Sequence, residues 1–301
     1  MVQTLTRTEP TATPSTATPD EGQRPRDSMN PRHPTLLIPL LIVFGICYIL
    51  PLLNVMRLSL FDSSGFTLAY YTDVLGDPFV LHVIGRTLKI ASIATVASIL
   101  LGYPLGLLLA RSRGRVRALL TYAILAPLLL SGVVRSFGWF ILLRNDGLVS
   151  NWLSFFGMSS ASNGVLHTEL AITIGLVHLY MPMLAVAVSG SAQQVDSRLL
   201  SAAQSLGATP RVVFLRVLVP LTVPGLLAGS LLVFSLSSSA FATPAILGGS
   251  RVPVASYLIY QQGLLLGHWA AAGALSMLLL LLVASISALS MILGRKYGVK
   301  K

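Results

Sequence analysis

Long apolar stretches recur along the chain between short polar connections, and their length sets the first expectation. A helix rises about 1.5 Å per residue, so about 20 apolar residues cross the roughly 30 Å hydrocarbon core of a bilayer. Six stretches come close to that length or exceed it, at about 34–56, 90–110, 118–143, 170–191, 219–247 and 269–293. The first carries no charge between His33 and Arg57, nor the second between Lys89 and Arg111, whereas the third contains Arg135. A membrane barrel would show shorter segments of alternating polarity, so the spans are read as helices. The predicted fold class is all-α, a polytopic membrane protein with six transmembrane helices and a helical loop between spans four and five.

That loop, about 194–219, is neither a span nor an ordinary connection. Asp196 is a good N-cap, and Val195, Leu199, Ala203 and Leu206 recur on one helical face. Gly207 allows the left-handed turn that ends a helix, and Thr209-Pro210 restarts one as N-cap and first helical residue. The pattern predicts helix, sharp turn, helix. Ala202 and Ala203 let another surface approach the backbone closely, Phe214 offers a large apolar anchor, and Pro220 with Pro224 stiffens the start of span five.

Composition agrees with a membrane chain and orients it. Of 301 residues 54% are hydrophobic and 10% charged, against about 25% charged in soluble domains. The net charge of +11 comes from clusters in connections rather than from a basic face with aromatics, which argues for membrane orientation and against nucleic-acid binding. Arg7, Arg24, Arg26 and Arg32 precede span one; Arg111, Arg113, Arg115 and Arg117 link spans two and three. Arg198, Arg211 and Arg216 lie between spans four and five, and Arg295, Lys296, Lys300 and Lys301 end the chain. With six spans these four groups share one side. The positive side faces the cytoplasm, so both termini are expected inside. Residues 1–33, rich in Thr, Pro and charge, are expected to be a disordered cytoplasmic tail without a secretory signal; 34–295 form the transmembrane domain and 296–301 a basic cytoplasmic end. Cys47, the single cysteine, is read as a small packing residue.

The loop resembles the cytoplasmic coupling loop of ATP-binding-cassette importer permeases, whose signature is E-A-A, three residues, Gly, then a gap to L-P. The matching residues are Ser201-Ala202-Ala203, Gly207-Ala208, Phe214, Val217, Pro220-Leu221 and Pro224-Gly225. Ser201 stands where that family has an acid, which leaves out any salt bridge the acid would make. Ser131 to Trp139, Arg144 to Leu148, and Leu101 to Leu105 are similar to polyamine-type (spermidine/putrescine) permeases. The resemblance covers most of 35–295. It implies a translocation subunit for a small solute, a polyamine or related organic cation, in the bacterial inner membrane. Ser201, Ala202, Ala203, Leu206, Gly207, Ala208, Phe214 and Pro220 would then couple it to an ATP-binding subunit. That partner would bind ATP and Mg and hydrolyse ATP; this chain has no G-x-x-x-x-G-K-[ST] loop, no cofactor of its own and no metal site, and is not expected to be an enzyme. The other implied partners are a second, homologous permease subunit, a periplasmic or extracellular solute-binding protein, and the bilayer.

Arg135 is the basic residue deep in a span, and an intramembrane charge points to function. Trp139 and Tyr180 offer aromatic faces to a cationic cargo, and Ser238 a hydroxyl; these four are the candidate path residues. His178 is read as a packing histidine. Two G-x-x-x-G pairs, Gly102/Gly106 and Gly225/Gly229, suggest close helix contacts, whereas Gly263/Gly267 falls in an outer connection. Two competing classes are an ion-coupled secondary transporter, which would show intramembrane acids and internal repeats, and an intramembrane enzyme, for which no H-E-x-x-H or G-x-S-x-G motif exists.

Overall fold

A computed structural model describes residues 34–62, 65–144, 146–149 and 165–297. The N-terminal tail, Asn145 and the last four residues lie outside the described residues, and so do the expectations that fall on them. The chain divides into two units, Met1–Leu50 and Pro51–Lys301, of which the second holds the packed core.

Helix α1 (Pro34–Leu60) is followed by a two-residue hairpin, β1 (Phe61–Asp62) against β2 (Gly65–Phe66), and a short α2 (Ala69–Gly76). α3 (Pro78–Arg111) starts a dozen residues before the apolar stretch expected for span two. Asp77 caps it, its carboxylate accepting from Phe79 N at 2.8 Å, with Pro78 at the first helical position. The charged N-terminal end of α3 is tied down where Arg86 and Lys89 find Glu169 at 3.4 and 2.8 Å, on the first turn of α6 (Glu169–Gln193).

Span three is not the continuous helix expected over 118–143. It is two helices, α4 (Gly114–Leu129) and α5 (Gly132–Leu143), bent by 96°. Pro127 has no N–H to continue the ladder, Leu130 and Ser131 turn extended, and the Ser131 side chain accepts from Val133 N at 3.3 Å to start α5. Span five also differs from expectation: α9 (Val219–Ser239) ends at Ser239 and not at Leu247. Ala240 is extended, its carbonyl accepts from Ser256 Oγ at 2.6 Å, and a separate helix α10 (Ala242–Leu247) follows. α11 (Ala255–Tyr260), a wide turn at Gln261–Leu265 and α12 (Trp269–Tyr297) complete the chain. Five of these helical stretches are long and apolar enough to cross a bilayer, or six if the bent pair counts as one.

α6 is the central element of the packed unit. On one side Gly102 and Gly106 of α3 meet it: a Cβ at Gly106 would stand 2.5 Å from the Ala185 carbonyl and 2.9 Å from Val188 Cβ. On another side Gly225 and Gly229 of α9 pack on Ala187, Ser191 and Leu184. Both small-residue pairs are helix interfaces, as their spacing suggested. Gly263 and Gly267 sit at the turn into α12: Gly263 faces Ala272 and Trp269 of that helix, whereas Gly267 has φ +73° and open space around its Cβ position. The apolar core joins Ile90, Leu143, Ile172, Leu176 and Leu247 from α3, α5, α6 and α10. A second cluster joins α2, α3, α11 and α12 around Val83, Leu258 and Leu275. Cys47, expected to pack, is exposed on α1.

Candidate functional site

The segment between α6 and α9 folds as a helical elbow. α7 (Ser197–Ser205) is capped by Asp196, whose carboxylate accepts from Arg198 N at 2.8 Å. Its other end closes as a Schellman turn: Ala208 N donates to Ala203 O at 3.1 Å and Gly207 N to Gln204 O at 2.9 Å, with Gly207 at φ +83°. The spacing of Ala203, Gly207 and Ala208 is therefore the spacing of that motif. α8 (Pro210–Val213) then begins with Pro210 at its first position. Thr209 takes the extended cap conformation, but its side chain makes no capping bond, contrary to the sequence reading.

From α8 the helix runs without interruption into α9 through a wide turn at Phe214–Leu218, where Val219 N bonds to Phe214 O, five residues back. The widening comes just before Pro220, whose ring would crowd the carbonyl four residues earlier and whose missing N–H could not bond to it. Phe214 is 38% exposed and lies edge-on to Tyr103 of α3, ring centroids 6.5 Å apart, so part of this anchor rests on its own protein. Tyr103 OH in turn pairs with Thr222 Oγ1 at 2.8 Å.

α7 itself buries no residue. Val195 and Leu200 rest against the core formed by Leu107, Leu184, Val188 and Leu218, but Leu199 is 51% and Leu206 89% exposed. The apolar face expected to be one continuous stripe is thus divided between an inward part and an outward part. Ser201 and Ala202 are exposed, Ala203 half-buried, and the Ser201 hydroxyl donates to Ser197 O at 3.2 Å within its own helix.

The second group of residues lies beside the middle of α6. His178 is nine residues from Glu169, about 14 Å along the axis at ~1.5 Å per residue. Trp139 of α5 meets its ring edge to face at 5.7 Å. Arg135 lies one turn before Trp139 on α5, and Tyr180 packs against the same apolar cluster as Trp139. Arg135 Nε and Nη1 and His178 Nδ1 are buried without a hydrogen-bond partner among the described residues. α5 is held to α10 by Ser136 Oγ and Thr243 Oγ1 at 2.9 Å. The structure therefore brings Arg135, Trp139 and Tyr180 together and adds His178. Ser238 stands apart: it is fully buried on α9, and its hydroxyl donates to Phe234 O at 2.8 Å. No group of three or more metal-ligating side chains occurs among the described residues.

A family model described as the binding-protein-dependent transport system inner membrane component matches residues 102–296, the region that holds both the elbow and the Arg135 group. The chain belongs to this family. It is 31% identical over 254 residues to the spermidine/putrescine transport system permease protein PotB of Haemophilus influenzae, covering 83% of this chain and 85% of that protein. It is 33% identical over 209 residues to PotB of Escherichia coli, covering 69% and 76%. A solved bacterial alginate ABC transporter, in complex with an alginate pentasaccharide-bound periplasmic protein, superposes with a TM-score of 0.74 over 88% of this chain and 95% of that one; at 17% identity it shows the fold alone. The chain is a multi-pass inner-membrane permease subunit of an ATP-binding-cassette importer and not an enzyme. The ion-coupled transporter and the intramembrane enzyme give way to this family.

Proposed function

We propose that this permease forms one half of the translocation path of a polyamine importer and that α7 is the handle by which an ATPase subunit moves it. The observation that carries the reading is the solvent-facing elbow. A helix that buries nothing, capped at both ends and presenting Leu199, Ala202 and Leu206 outward, suits a groove on another protein. Ser201, Ala202, Ala203, Leu206, Gly207, Ala208, Phe214 and Pro220 are the coupling residues in this account, and Phe214 contributes through Tyr103 as well as outward. ATP and Mg belong to the partner. A second permease subunit and an external binding protein complete the complex. In this reading the bent α4–α5 pair is one of six spans, and the arginine-rich connections assign α7, the arginine link and both termini to the cytoplasm.

The polyamine assignment rests on the two PotB relatives. Trp139 and Tyr180 supply aromatic faces for an organic cation. The bend between α4 and α5 supports a path at this depth, because non-helical backbone inside a bilayer is tolerated where it is covered by protein or lines water. Arg135 favours a second reading, a cargo bearing an anionic group, since two of its guanidinium nitrogens are buried without an acceptor among the described residues. Uptake of labelled spermidine by membrane vesicles containing the whole complex, in competition with putrescine and with oxyanions, tests the assignment. Competition by putrescine alone supports the polyamine, and competition by an oxyanion alone supports the second reading.

A further inference from the structure

On the arginine-rich side of the molecule, α3, α4 and α6 line a half-open hollow of about 250 Å³. Leu109, Ile124, Leu125 and Val186 make its wall, and Arg117 and Gln193 stand at its polar edge. We propose that this cavity binds an anionic phospholipid of the inner leaflet, one acyl chain in the apolar hollow and the phosphate against Arg117 and Arg113. The inference rests on the reading that this side faces the cytoplasm.

Three observations favour that occupant. Arg117, Thr121 and Leu125 are spaced four apart on one face of α4, and Arg113 is the extended residue just before that helix, so cationic positions lie at the start of α4 and an apolar one two turns further along the same face. Arg117 is already oriented: its Nη2 donates to Gln193 Oε1 at 2.8 Å, and Gln193 Nε2 donates to Ser189 Oγ at 2.9 Å, which leaves the remaining guanidinium N–H groups for a phosphate. Arg111, Arg113, Arg115 and Arg117 are all exposed with no acid among them, and the carboxylate nearest in sequence to Gln193, Asp196, is committed to the cap of α7. Basic pockets between spans on the cytoplasmic side are recognition sites for anionic headgroups. A free phosphate would use the arginines and leave the hollow empty; a zwitterionic lipid would fill the hollow with weaker attraction to the rim.

The test uses the purified, delipidated complex titrated with phosphatidylglycerol, phosphatidylethanolamine and inorganic phosphate, with bound molecules counted by native mass spectrometry. One phosphatidylglycerol is expected to be retained at least fivefold more strongly than either alternative. R113Q/R117Q should lose that preference. Gly190→Leu should lose retention by filling open space at the cavity wall, where an added Cβ meets nothing within 4 Å. Equal retention by the wild type and both variants, or phosphate bound as tightly as the lipid, overturns the proposal. So does a photo-crosslinker at Leu125 that captures the second permease subunit and no lipid. Sidedness is read separately by labelling Ser112→Cys in a Cys47→Ser background from each side of the membrane. Labelling from outside only contradicts the orientation, whatever the lipid titration gives.

Discussion

Gly207 and Gly106 show how differently two glycines act. Gly207 has open space around its Cβ position, so its importance is conformational: at φ +83° a side chain is strained by about 1–2 kcal/mol. Gly207→Val should leave the protein in the membrane and lower its melting temperature by only a few degrees, because α7 buries no residue, yet reduce copurification of the ATPase about tenfold or more. Gly106 is ordinary helix, and its importance is steric. Gly106→Leu drives a side chain into Ala185 and Val188, and overpacking of this kind costs about 1–3 kcal/mol, so melting in detergent should fall by several degrees. Arg135→Met makes the opposite prediction. Removing a half-buried cation, two of whose nitrogens find no partner among the described residues, should leave melting unchanged or raise it, whereas uptake should drop if the group lines the path. Lower stability with intact uptake would place Arg135 in structure alone.

At the scale of elements, the long apolar stretches were readable because uncharged length is a direct consequence of bilayer thickness. The elbow was readable because caps and left-handed turns have residue requirements: Asp196, Gly207 and Pro210 stand where the geometry needs them. What hydropathy missed depends on partners distant in the chain or on breaks without a change of polarity. The first turns of α3 carry Arg86 and Lys89, and their acid is Glu169, some eighty residues later. The bend before α5 contains only Leu130 and Ser131, as apolar as its surroundings, and Pro127 alone does not fix an angle. The end of α9 at Ser239 is stabilised by Ser256, again remote. The Arg135 group was half visible: Arg135, Trp139 and Tyr180 stood out by type, but that His178 joins them and Ser238 does not follows from which faces of α5, α6 and α9 meet. The Arg86–Glu169–Lys89 cluster is partly exposed, so its contribution is small. Glu169→Gln should lower melting by no more than a few degrees, and the difference should shrink in high salt, as expected for about 1 kcal/mol or less.

At the scale of the molecule, α6 connects the Arg135 group to the elbow. Its N-terminal half meets α5 and the Arg135 group; its C-terminal half holds the glycines of α3 and α9 and leads through Gln193 into the elbow. α8, the wide turn and α9 form one continuous helical rod from the elbow into the core. In the proposed coupling, a displacement of α7 would pass through the short turn Leu206–Thr209 into that rod. The measurement that tests this most directly is disulfide or bifunctional crosslinking of Ala203→Cys, in a Cys47→Ser background, within native membranes. The account predicts one dominant adduct with an ATP-binding subunit, with a yield that changes when ATP is trapped. Adducts absent in every nucleotide state, with the complex still competent for uptake, would contradict it.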